Sequence, residues 1–113
     1  MAPSVLKTEV QRGKSLGVLI KSTPGSPSFK RGWVLIRMAL ESGVQVYIYL
    51  LDEAVRGVWN TDISSVLKLG GKISVCAFAL EQRGIDCHEE MIPSGLTMMS
   101  DVLLQSDRAF IFN

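Results

Sequence analysis

The strongest constraint on this chain is a rhythm. Short runs of apolar and β-branched residues alternate with segments whose apolar side chains recur every three or four positions. Residues 16–20, 44–51 and 72–76 are runs of the first kind and read as strands, the first of them buried on both faces. Phe29, Trp33, Ile36 and Leu40 follow the helical spacing and mark a buried stripe. Ser28 is placed to cap that helix and Gly43 to end it. Residues 21–27 hold two prolines, a glycine and several hydroxyls, and read as a loop.

The alternation continues to the end of the chain. Residues 52–55 form a short helical turn. Asp62 caps a helix reaching Leu67, and Gly70 and Gly71 break it. Residues 77–83 favour helix, with Gly84 just past its end. Residues 85–89 read as a polar fourth strand and 93–95 as a loop. Residues 96–105 form a helix with Leu96, Met99 and Leu103 on one face, and 109–112 a last apolar strand. Strand and helix in this order predict an α/β three-layer sandwich: a mainly parallel five-stranded sheet with helices on both faces.

The length of 113 residues suits one domain, taken as residues 15–113 behind an N-terminal extension of residues 1–14. Hydrophobic residues make up 47%, enough for a true core. The formal net charge of +1 argues against nucleic-acid partners, which require a cationic surplus. Low polarity with little net charge favours self-association. No apolar run approaches the ~20 residues of a membrane span, and the charged N-terminus does not resemble a signal peptide. These features predict a cytoplasmic protein with two reduced, unbridged cysteines.

In an open parallel sheet, ligands and reactive groups gather outside the carboxyl ends of the strands. That rule selects residues 21–27, 51–57, 76–78 and 91–96. Among them Cys76 is the one strong nucleophile. It stands between a strand and a helix start, where unpaired backbone N–H groups favour thiolate over thiol. The bland alternative is a small buried hydrophobe; position alone does not separate the two. Ser22, Thr23, Pro24, Lys30 and Asp52 fall in or beside the same set of loops and form a candidate pocket for Cys76, to which Lys21, Lys30 and Arg31 could lend positive charge.

Other residues read more plainly. Cys87 could serve as a resolving thiol, but an ordinary strand cysteine is the favoured reading. His88 is the single histidine, and residues 87–90 read as a solvated strand edge, with no zinc-ligand spacing. Residues 22–26 have hydroxyls ahead of a helix, as anion sites do, yet lack the phosphate-loop pattern. Trp59 sits in a polar loop, and both interface and core remain open for it. Met91, Met98 and Met99 read as packing residues.

Three stretches carry a resemblance. Residues 70–85, Gly-Gly-Lys-Ile-Ser-Val-Cys-Ala-Phe-Ala-Leu-Glu-Gln-Arg-Gly-Ile, resemble the cysteine segment of the DsrE/DsrF-like sulfur-relay family. Residues 47–55 resemble its second strand and loop, with Ala54 where the family often has glycine, and 106–112 its closing strand. The resemblance implies a small α/β subunit of a homo- or hetero-oligomer, a dimer, trimer or hexamer. It also implies that Cys76 carries sulfur as a persulfide between donor and acceptor proteins, without metal or organic cofactor. Two rival readings stand beside it: a non-catalytic interaction or regulatory module on the same fold, and a small nucleotide- or flavin-binding domain using residues 22–26.

Overall fold

The computed structural model describes residues 14–113, so of the expected extension only Lys14 falls within it. Five strands form one sheet: β1 (Ser15–Ile20), β2 (Gln45–Leu50), β3 (Lys72–Cys76), β4 (Ile92–Ser94) and β5 (Arg108–Phe112). Their order is β4-β3-β2-β1-β5, and every neighbouring pair is parallel. Each of the six residues of β1 is buried, as expected of a central strand flanked on both edges and covered on both faces.

Helix α1 (Pro27–Glu41) covers one face with Phe29, Trp33, Ile36 and Ala39. Phe29 and Trp33 meet edge-on, centroids 5.9 Å apart. Gly32 of α1 comes so close to the sheet that an added Cβ would lie 3.0 Å from the end of Ile20. Helix α2 (Thr61–Lys68) packs beside α1, where Val66 and Leu40 close around Gly71. Helix α4 (Leu96–Gln105) takes the opposite face, which carries Gly17, Tyr47 and Tyr49, and touches the sheet over Gly17. Helix α3 (Ala77–Arg83) lies against a 3-10 segment, Asp52–Gly57, that follows β2. The three layers expected from the sequence are present, and the sheet is parallel throughout.

Several boundaries differ from expectation, while Gly43 and Gly84 stand at the ends of their helices as expected. Ser26, not Ser28, caps α1: its Oγ accepts from the Phe29 amide at 3.2 Å, because Pro27 fits the first helical position and moves the start two residues back. The chain leaves α1 through Ser42, with Gly43 at φ +83° just beyond. Asp62 lies inside α2 rather than before it. The fourth strand is residues 92–94, not 85–89, so the segment read as loop pairs with β3 and the segment read as strand is loop. Proline at 93 is tolerated because β4 is an edge strand. Gly84 ends α3 with φ +62°, a left-handed conformation that favours glycine.

Candidate functional site

Because all five strands are parallel, the segments after β1, β2, β3 and β4 leave the sheet at one edge, as expected for a site at the carboxyl ends. Cys76 is the last residue of β3 and the N-cap residue of α3, and its side chain makes no capping hydrogen bond. It is a free thiol, 7% exposed. The sulfur therefore sits where the sequence placed it along the chain, but beneath the surface.

The register explains what surrounds it. On β3, Ser74 and Cys76 point to the α4 face. Tyr49 is the partner of Ser74 on β2, and Ser94 the partner of Cys76 on β4. The Tyr49 ring is fully buried. Its hydroxyl donates to the carbonyl of Gly95 at 3.1 Å and lies 3.4 Å from that of Ser94. The phenol thus spans from β2 across β3 to the β4–α4 junction, passing Cys76. Burial raises the Tyr49 hydroxyl well above its ordinary value, and the adjacent Cys76, by charge and by hydrogen bonding, pushes the same way.

The candidate pocket drawn from the sequence lies elsewhere along the same edge. Ser22, Thr23 and Pro24 follow β1, which β2 separates from β3. Pro24 packs towards Gly57 of the 3-10 segment. Ser22 is buried, and its hydroxyl has no hydrogen-bond partner. Thr23 and Lys30 are exposed. Asp52, at φ +53°, faces Lys21 across 3.8 Å, both side chains largely in solvent. The structure brings Tyr49, Ser94 and Gly95 to Cys76; it gathers the loop after β1 with the 3-10 segment instead. Tyr49 escaped sequence reading because a tyrosine inside an apolar strand reads as core. Only the register to residues 94–95 gives its hydroxyl a role.

The rim beside α3 is held by charge. Glu53 accepts from Arg56 at 2.6 Å and from Arg83 at 2.9 and 3.0 Å. Arg56 first, then Arg83, holds the Glu53 carboxyl below the usual carboxylate range. Arg83 also donates to the Ala79 carbonyl at 3.1 Å, which ties it to its own helix.

Cys87 lies in the loop before β4, not in a strand. Its Sγ is 3.9 Å from the Met91 carbonyl, and burial pushes its thiol up. His88 stacks on Trp59, centroids 4.9 Å apart, and its Nδ1 accepts from the Glu90 amide. Trp59 is exposed, and its indole N–H donates to the Asp86 carbonyl at 3.0 Å, so it clamps this loop from outside the core. Among the described residues no cluster of His, Cys, Asp or Glu is arranged to hold a metal ion, and no helix is long and apolar enough to cross a membrane. Compared with models of known protein families and with curated proteins, the sequence matches none.

Proposed function

We propose that the protein is a sulfur-transfer subunit that carries sulfane sulfur on Cys76 between a donor and an acceptor protein, as an oligomer in the cytoplasm. The observation that carries this reading is the position of the thiol: the last residue of β3, at the carboxyl edge of a parallel sheet, directly before a helix. The likeness of residues 70–85 to the cysteine segment of the sulfur-relay family supports the same assignment.

The chemistry is thiolate exchange. The Cys76 thiolate attacks the outer sulfur of a donor persulfide. A new S–S bond forms to Cys76, the donor's own S–S bond breaks, and the donor leaves as a thiolate with the bonding pair. The acceptor thiolate then attacks the same outer sulfur, and Cys76 departs as the thiolate. Electrons balance at each step, and no oxidant or cofactor enters.

The test is mass spectrometry after incubation with a small-molecule persulfide. The unmodified chain should gain the mass of one sulfur atom on the peptide containing Cys76, and Cys76→Ser should not. Equal loading of the variant, or no loading of the parent, overturns the reading. A non-catalytic interaction module is the outcome left if Cys76 reacts with a thiol probe only once the chain is unfolded.

A further inference from the structure

A carrier thiol has to meet its partners, yet Cys76 is 7% exposed. What covers it on the β4 side is slight. Strand β4 has three residues and lies at the sheet edge, paired with β3 alone. Its Ile92 and Pro93 are exposed and add little burial to hold it. Ser94 spends its hydroxyl on the Ile92 carbonyl, within the strand itself. Beyond the β3 ladder, the buried interior reaches this segment through the Tyr49 hydroxyl, which engages the carbonyls of Ser94 and Gly95. Ser94 is also the register neighbour of Cys76.

We infer that the β4–α4 junction is a strap over Cys76 and that Tyr49 is its latch. With the Tyr49 hydroxyl bonded to Gly95, the strap is closed and the sulfur covered. When that bond breaks, residues 92–95 lift from β3 and the sulfur is open to a partner. The device deepens the sulfur-transfer reading by naming what regulates access to its thiol. Tyr49 acts here as a positioning residue, through the backbone of the strap.

The experiment measures the rate at which iodoacetamide alkylates Cys76, at fixed pH, in a Cys87→Ser background where Cys76 is the remaining cysteine. Tyr49→Phe removes the latch and keeps the ring. One lost hydrogen bond predicts a rate roughly three- to tenfold higher, with far-UV circular dichroism unchanged. Tyr47→Phe, the second tyrosine on the same face, should leave the rate as it was. The Tyr49 hydroxyl also lies beside the thiol itself, so the latch requires hydrogen exchange at the Met98 amide to quicken with the labelling. An unchanged rate in folded Tyr49→Phe, or a faster rate without faster exchange there, overturns the latch.

Should Tyr49→Phe not fold, the parent chain answers alone. The Met98 amide bonds to the Gly95 carbonyl at 3.2 Å and so reports the same junction. Its hydrogen exchange and the labelling of Cys76 should give the same opening equilibrium. Labelling that instead follows the amides of buried β1 overturns the proposal. No sulfur donor is used in any arm. A latch that behaves as stated with no persulfide loading sinks the transfer reading alone, and loading without a Tyr49 effect sinks the latch alone.

Discussion

Gly17 is where the α4 layer meets the sheet, and Gly17→Ala tests that packing directly. A Cβ built there would lie 2.6 Å from the Ser106 Oγ, 2.9 Å from the Val102 carbonyl oxygen and 3.0 Å from the Val102 Cγ1. The Ser106 hydroxyl can turn away only by giving up its 2.6 Å bond to the Val102 carbonyl. The Val102 carbonyl belongs to the helix backbone and moves only with α4. Overpacking of this kind costs about 1–3 kcal/mol, which for a domain near this size lowers Tm by roughly 5–15 °C. Thermal unfolding followed by circular dichroism measures it. Adding Ser106→Ala removes the nearer obstacle and leaves the backbone one, so it should recover only part of the loss. A Gly17→Ala Tm within about 2 °C of the parent would refute the close approach of α4 to β1, since even the low end of overpacking exceeds that shift.

Two further outcomes follow from the same geometry. Glu53 has a folded-state value below its unfolded one, so its stabilisation is fully present above the unfolded value and is lost as pH falls through the folded one. The Tm deficit of Glu53→Gln should therefore be small but measurable at neutral pH and should vanish in acid; a deficit that persists in acid would show that the side chain acts by packing instead. Labelling of Cys76 against low denaturant concentrations should show a shallow slope, as local opening exposes little surface. A slope equal to that of global unfolding would mean that the sulfur is reached only when the whole domain opens.

Much of the architecture was legible because the residues that set it act locally. The stripe of Phe29, Trp33 and Ile36 lies buried against the sheet, and the ranges read for β3, α3 and α4 coincide with the structure. Gly84 in a left-handed conformation ends α3 where a glycine was expected to. The strand failures have one physical source: pairing is not written in the pairing segment. Residues 85–89 alternate well enough to read as a strand, yet Trp59, some thirty positions earlier in the chain, holds this stretch as a loop through the Asp86 carbonyl and the His88 ring. Residues 92–94 contain a proline and adjoin a glycine, and they pair only because β3 offers a free edge. The site divides in the same way. Cys76 was legible from its place between strand and helix, whereas Tyr49, Ser94 and Gly95 became its neighbours through register across three strands.

The proposed role sets the burial of Cys76 against its access to partners, and the sheet order shows where access would be least costly. A sulfur buried in β2, the middle strand, would be reached only by parting strands that are themselves paired on their far sides, at a cost near that of unfolding the domain. Cys76 lies instead on β3, one strand in from the edge, and its outer neighbour is a three-residue strand with two exposed residues. Lifting residues 92–95 leaves β3 paired to β2 through Tyr47–Leu50. On the proposed strap, the peptide groups beside the sulfur are thus among the cheapest in the sheet to displace. Extending β4 by further pairs with β3 would hold the proposed strap more firmly, so the proposed opening depends on the strand being short.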